Sequence, residues 1–302
     1  MDAPVLPSGF QSLNDSLLSE VVRAMALPPT NITQAIIRLI FGRAAQRLSD
    51  MALGFDREVA HHGFAAGARW LLPHFVSAHT ARGKERIPNE GPLLIVSNHP
   101  ASYDGILISA YVNRPDYKII IGEIPPYKFL PHVSRHAIFS PSVKNAFGQM
   151  QTVRNAIRHL QGGGALLIFP RGAIEPDPAF MPDPAAEFGK WSRSLEIFLE
   201  RVPQTRVLVT IVSGVIARSA LRHPMTWFRK SRPDRQRLAF MLQIIHQILQ
   251  ERELYGLTPR VTFGELLSSV KRQHVLSEIE RSARRVLAQH LLQGDPVNVY
   301  SS

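Results

Sequence analysis

The residues best suited to chemistry are His99 and Asp104, in the run Asn98-His99-Pro100-Ala101-Ser102-Tyr103-Asp104. A carboxylate five positions after an imidazole, across a turn, can accept the Nδ1–H. The tautomer is then fixed and Nε2 is left to take a proton. This is the base-and-orienter half of a catalytic triad. The only hydroxyls close by in sequence that could serve as nucleophile are Ser97 and Ser102, so the simplest chemistry is a His99 that deprotonates a substrate hydroxyl directly. The competing reading makes His99 a loop histidine and Asp104 a helix cap. Cysteine is absent, which removes thiolate nucleophiles, disulfides and thiolate metal sites. His61-His62 has no carboxylate or cysteine at ligand spacing, so no metal site is expected.

The elements around this run predict how it is held. Leu93-Leu94-Ile95-Val96 follows Gly91-Pro92 and ends at Ser97-Asn98, which reads as a buried strand leading into a functional loop. Further strands are expected at Tyr117 to Ile121, Ala137 to Phe139, Ala165 to Phe169, Val207 to Val215 and Arg260 to Phe263. Helices are expected at Ile106 to Val112, Val143 to Leu160 and Phe188 to Arg201, with one or two amphipathic helices from Leu266 to Leu292. Gly162-Gly163-Gly164 precedes a strand and reads as a turn, not a phosphate loop. The first third reads as helical: Asn31 to Leu48, with Thr30 or Asn31 as cap, then a second helix from Asp50 or Phe55 to Leu72, stopped by Pro73. The fold class is α/β, a mixed and mainly parallel central sheet flanked by helices, preceded by an N-terminal helical region. Residues 1–78 are assigned to that helical region and residues 79–302 to the α/β domain with its C-terminal helix.

The chain resembles the glycerol-phosphate and lysophosphatidate acyltransferases of phospholipid synthesis over about His61 to Leu267. The likeness rests on Gly83-Lys84-Glu85-Arg86-Ile87-Pro88, Gly91-Pro92, the strand into Asn98-His99, Ile168-Phe169-Pro170-Arg171-Gly172 and Val261-Thr262-Phe263-Gly264-Glu265. It implies that His99, in the His-x-x-x-x-Asp motif, is the general base. It implies also that the acyl donor is a coenzyme A or acyl-carrier-protein thioester, a co-substrate and not a cofactor. The chain departs from the family at the acceptor motif Phe-Pro-Glu-Gly-Thr-Arg, where it has Phe169-Pro170-Arg171-Gly172-Ala173-Ile174. Glu175 and Asp177 are candidates to replace the lost carboxylate. The family's Arg after an apolar strand is also missing, flanked here by Arg135 and Lys144. A phosphate on the acceptor calls for Arg forks, so Arg171, Gly172, Asn98 and Arg135 are the expected acceptor-binding residues, with amides near Gly172 or the turn after His99 as oxyanion donors.

The 302 residues are 45 % hydrophobic, enough for a sizeable core, and Lys plus Arg exceed Asp plus Glu, 35 against 24, giving a net charge of +11. That excess favours an anionic partner. No nucleic-acid-binding motif is present, so nucleic acid is not the expected one. Arg218 to Arg237 holds seven cations and one acid around Trp227-Phe228. Arg222, Trp227, Phe228, Arg229 and Lys230 are expected to meet an anionic membrane surface; the plainer reading is a solvated loop before a core helix. The basic helices of the first third are read either as a pair packed on the main domain or as an interfacial element on lipid. The most apolar stretch, Leu238 to Gln250, would rise only about 20 Å as a helix, short of a span. No secretory signal is seen at Met1 to Gln11. The expected setting is peripheral, on the cytoplasmic side of a membrane. The competing function is a non-catalytic lipid-binding or scaffold protein that retains the acyltransferase fold.

Overall fold

The computed structural model describes residues 8–24, 27–142, 145–268 and 274–292. Seven strands form one sheet: β1 (Thr80–Arg82), β2 (Leu93–Ser97), β3 (Tyr117–Gly122), β4 (Ala137–Ser140), β5 (Ala165–Ile168), β6 (Arg206–Ser213) and β7 (Arg260–Leu267). Their order is β1-β7-β6-β2-β5-β3-β4. Every pairing is parallel except β6 with β7, which is antiparallel. The mixed, mainly parallel α/β fold follows from the sequence as expected. The central strands β2 and β5 are buried at every position, as unbroken aliphatic runs in a parallel sheet covered on both faces should be.

Alternate residues feed two cores. On one face Leu93, Ile95, Ala165, Leu167, Leu208 and Val212 meet α2 (Asn31–His62), α3 (Phe64–Leu71), α4 (Asp104–Ser109) and α9 (Arg232–Gln250). On the other, Leu94, Val96, Leu166, Ile168, Val207 and Val209 meet α6 (Ala146–Gln161), α7 (Ser194–Arg201) and α10 (Val275–Leu292). The remaining helices are α1 (Ser8–Ala24), α5 (Pro131–Arg135) and α8 (Arg218–Leu221).

Several boundaries differ from expectation for local reasons. The two helices expected between Asn31 and Leu72 are one 32-residue helix and a short one. Ser49 does not break α2, because its Oγ donates to Ala45 O inside the helix; the break falls at Gly63, whose φ of 82° ends the turn. Thr30 caps α2, its Oγ1 accepting from the Thr33 N–H at 3.1 Å. The helix expected from Phe188 begins only at Ser194, after a 3₁₀ segment at Pro184–Lys190 and an extended Trp191. Strand β6 stops at Ser213 and not at Val215. Gly214 takes a φ of 73°, and the Gly214 and Val215 N–H groups donate to buried Asp177 instead of the ladder. Strand β1 was not foreseen: three mostly exposed residues carry no apolar signal. The expected start of α6 at Val143, and Lys144, lie outside the described residues.

Ile37 and Ala45 of α2 meet Leu18 and Val22 of α1. Ile32, Ile36, Leu39 and Ile40, on another face of the same helix, are exposed, Leu39 to 86 %. Among the described residues, no helix is long and apolar enough to cross a membrane.

Candidate active site

Parallel pairing puts three loops on one sheet edge. Val96 of β2 lies opposite Ile168 of β5, and Ser97 opposite Thr210 of β6. The segments that begin at Asn98, Phe169 and Gly214 therefore emerge together at the carboxyl ends of the strands, where open α/β sheets form their sites. Asn98 is the splice between strand and loop. Its Nδ2 donates to Val212 O at 2.9 Å and its Oδ1 accepts the Val212 N–H at 2.8 Å.

His99 and Asp104 come together as their spacing predicts. His99 Nδ1 lies 3.0 Å from Asp104 Oδ2, which also accepts the Ala101 N–H at 2.9 Å. Asp104 is fully buried at the start of α4, and its Oδ1 has no partner among the described residues. Burial pushes its carboxyl up to about 6, with the His99 hydrogen bond acting the other way. The His99 ring lies on the face of Phe169, centroids 4.3 Å apart and planes 24° from parallel. Its side chain stays 23 % exposed, and Nε2 takes no protein partner among the described residues. A carboxylate on one ring nitrogen, a covered ring face and an open second nitrogen are what a general base requires.

The loop backbone is held as firmly as the ring. Glu175 Oε2 accepts the His99 N–H at 2.7 Å, Oε1 accepts the Trp191 indole N–H at 2.8 Å, and the Glu175 N–H donates to His99 O at 2.8 Å. Burial pushes the Glu175 carboxyl up to about 7, and the two donated bonds oppose that shift. Buried Gln236 of α9 adds a second tie: its Nε2 donates to Pro100 O at 2.6 Å and to Glu175 O at 2.7 Å. Of the two carboxylates offered as substitutes in the acceptor motif, Glu175 thus faces the His99 loop, while Asp177 holds the Gly214 turn.

The other expected residues scatter. Both polar groups of Asn98 engage Val212, so the structure shows Asn98 as a tie between the loop and the sheet. Gly172 sits exposed on the turn with a φ of 64°, but its N–H is used by Phe169 O at 3.1 Å. Arg171 is beside the site, its Nε donating to Glu187 Oε2 at 2.8 Å. Arg135 ends α5 just before β4, at the amino end of an edge strand three places from β2, while the site lies at the carboxyl ends of β2, β5 and β6, so it is not brought to His99. Buried Ser97 donates to Asn98 O. Arg222, Trp227, Phe228, Arg229 and Lys230 are all exposed in and around a 3₁₀ segment at Pro224–Phe228, Trp227 to 73 % and Phe228 to 86 %. Sequence reasoning missed the roles of Phe169, Gln236 and Glu187. Phe169 was visible within its motif; Gln236 and Glu187 lie in helical segments with no motif to mark them.

A cavity of about 430 Å³ opens beside the carboxyl ends of β3 and β4, lined by Ile124, Pro125, Tyr127 and Phe139 with Lys128 among its polar residues. Strand β3 is two places from β2 in the sheet, about 10 Å away.

The family model described as Acyltransferase matches residues 79–200, a stretch that includes His99, Asp104, Phe169 and Glu175. A search of the curated proteins finds no match. Among solved structures, the 1-acyl-sn-glycerophosphate (LPA) acyltransferase PlsC from Thermotoga maritima aligns at 15 % identity, with a TM-score of 0.46, over 94 % of this chain and 97 % of that one.

Proposed function

From the match of residues 79–200 to the acyltransferase family model, we propose that the chain moves a fatty acyl group from a coenzyme A or acyl-carrier-protein thioester to a hydroxyl of a lipid precursor such as a lysophospholipid. The observation that carries this is the 3.0 Å bond from His99 Nδ1 to buried Asp104 beside an open Nε2. The acceptor hydroxyl rests against Nε2. His99 takes its proton as the oxygen attacks the thioester carbonyl, and Asp104 stabilises the imidazolium. Amides of the turn at 171–173 other than that of Gly172 meet the oxyanion. Collapse expels the thiolate, which takes the proton back from His99. A thiol pKa of about 8.5 means that the leaving group needs little acid assistance. The apolar cavity beyond β3 suits part of an acyl chain. The scaffold alternative draws on the degenerate acceptor motif, but a protein with no transfer to perform has no need of an oriented, accessible imidazole.

The site works at a lipid surface in this reading, peripherally and on the cytoplasmic side. Two exposed apolar sets support that: the α2 stripe with its neighbouring Arg38 and Arg43, and Trp227-Phe228 among Arg222, Arg229 and Lys230. Aromatics among cations suit an anionic interface. The test is to offer acyl-CoA and acyl-carrier-protein donors with a panel of lysolipids and to identify products by mass spectrometry. Acyl transfer that vanishes in His99→Ala supports the proposal; no product from any pair removes it.

A further inference from the structure

Helix α9 turns a row of buried glutamines toward the sheet. Gln236, Gln243 and Gln247 are all buried, and steps of seven and four residues set them on one face of the helix. Each bonds main chain, as buried amides must. Gln243 Oε1 accepts the Ala217 N–H at 2.8 Å, and Gln247 Nε2 donates to Phe75 O at 2.9 Å. Gln236 reaches the His99 loop, its Nε2 donating to Pro100 O at 2.6 Å and to Glu175 O at 2.7 Å. Its Oε1 accepts from Arg232 Nη1 at 2.9 Å. A guanidinium only donates, so the Gln236 amide has one orientation: oxygen to Arg232, nitrogen to the two carbonyls.

The carbonyl that Gln236 holds belongs to the same peptide unit as the Ala101 N–H. The bond between Pro100 and Ala101 is trans, and in a planar trans peptide the C=O and the N–H point in opposite directions. With Pro100 O drawn to Gln236, the Ala101 N–H is aimed away from that side chain, and it meets Asp104 Oδ2 at 2.9 Å. The same oxygen lies 3.0 Å from His99 Nδ1. Two amides in series thus join Arg232 to the His99–Asp104 pair, with every donor pointing toward the carboxylate: Arg232 to Gln236, Gln236 to Pro100, Ala101 to Asp104. Hydrogen bonds aligned in a chain polarise one another, so each strengthens the next. The Arg232 charge is itself answered by Glu187 Oε1 at 3.5 Å and by Glu175. What passes along the chain is orientation and dipole, not net charge.

We infer that Gln236 is a positioning residue for the general base: by clamping the peptide between Pro100 and Ala101 at its carbonyl end, it aims the Ala101 N–H at Asp104 Oδ2 and so sets the carboxylate against His99 Nδ1. The inference rests on the acyl-transfer reading for what that alignment accomplishes. Asp104 Oδ1 has no partner among the described residues, so the placement of the carboxylate depends on the two bonds to Oδ2. Without Gln236 the peptide is held at one end only. It is then free to tilt, and the bond from Ala101 to Asp104 slackens with it.

The test is a double-mutant cycle in the full-length protein, comparing wild type, Gln236→Met, Asp104→Ala and the double variant. Gln247→Met is the control, removing a buried glutamine from the same row. If circular dichroism shows that Gln236→Met does not fold, Gln236→Glu takes its place; beside Arg232 its carboxylate keeps the shape and the acceptor but has no donor. Kinetics use the donor and lysolipid that the product panel identifies. Gln236→Met should lower kcat about tenfold to a hundredfold, the scale of a misplaced catalytic group, with both KM values within about twofold of wild type. In the Asp104→Ala background the same substitution should cost less than about threefold, because the contact through which it acts is gone, and Gln247→Met should stay within about threefold of wild type. Losses that multiply in the double variant, an unchanged kcat in Gln236→Met, or an equal fall in Gln247→Met overturns the inference and leaves the acyl-transfer reading standing. If wild type transfers nothing, that reading fails, and amide hydrogen exchange followed by NMR decides the alignment alone. Exchange at Ala101 that is faster by about tenfold or more in Gln236→Met, and not in Gln247→Met, upholds it, whereas equal rates reject it.

Discussion

The backbone of His99 is gripped from both sides by Glu175: Glu175 Oε2 accepts the His99 N–H at 2.7 Å, and the Glu175 N–H donates to His99 O at 2.8 Å. Two loops from different strands thereby form one piece, and His99 is positioned by main-chain bonds as well as by Asp104.

Replacing the imidazole should abolish most of the chemistry without disturbing the fold. His99→Ala is expected to lower the transfer rate by about two to four orders of magnitude, the usual range for a general base. Asp104→Asn should fall in a similar range, because an amide can present an N–H to Nδ1 and favour the wrong tautomer. Single-turnover rates with far-UV circular dichroism as the fold control check both, and a His99→Ala enzyme as fast as wild type would end the general-base proposal.

Glu175→Gln tests the grip itself. An amide offers one oxygen to two buried N–H donors, from His99 and Trp191, so one loses its acceptor at a cost of about 1–3 kcal/mol. Urea denaturation reads the stability, and the turnover number should fall with it as His99 loses its placement. A variant equal to wild type in both respects contradicts a positioning role.

Stability should carry opposing pH windows. Burial raises Glu175 from 4.5 to about 7 and Asp104 from 3.8 to about 6. The unfolded chain releases these protons first, so their contribution is complete at low pH and is lost as pH rises through roughly 4 to 7. His290 runs the other way. Buried between Ser213 Oγ at 2.6 Å and Thr262 Oγ1 at 2.8 Å, its imidazole is lowered from 6.5 to about 4, chiefly by desolvation and then by the Arg260 charge. Its contribution is present above 6.5 and lost as pH falls to about 4, on the order of 3 kcal/mol. Denaturation at pH 4, 5.5 and 7 should therefore show that His290→Gln removes much of the acid-side loss. An identical pH slope in wild type and variant would be evidence against it.

In the proposed setting at a lipid surface, attachment divides between two patches. Leu39→Ser with Ile36→Ser, and separately Trp227→Ala with Phe228→Ala, should each reduce flotation with anionic liposomes. Stability in buffer should stay within about 0.5 kcal/mol per site, because the exposed side chains make few intramolecular contacts. High salt should weaken binding at the Trp227-Phe228 patch, whose cations are screened. Unimpaired flotation of the four-fold variant would refute lipid contact by these residues.

What was legible in the sequence follows what is local. Strands β2, β5 and β6 announce themselves because burial on both faces demands unbroken aliphatic runs. His99 and Asp104 are readable because their partnership spans one turn. Three-residue β1 is held by its pairing with β7, and nothing in Thr80-Ala81-Arg82 reports that. The amphipathic spacing of Ile32, Ile36, Leu39 and Ile40 was visible, but only the tertiary structure reveals that α1 packs on Ile37 and Ala45 instead. Glu187 and Gln236 act on residues 16 and more positions away, and such reach has no sequence signature. Asn98 looked like a ligand because it adjoins His99; its two bonds reach Val212, 114 residues on, and tie the loop to the sheet.

Those same two bonds leave the root of the His99 loop without a hinge. The root of its loop is stitched to the middle of the sheet, and swinging His99 aside would require tearing out paired amide groups in a dry interior. Under the proposed mechanism His99 is therefore a stationary target, and the thioester arm and the lipid alcohol make the approach.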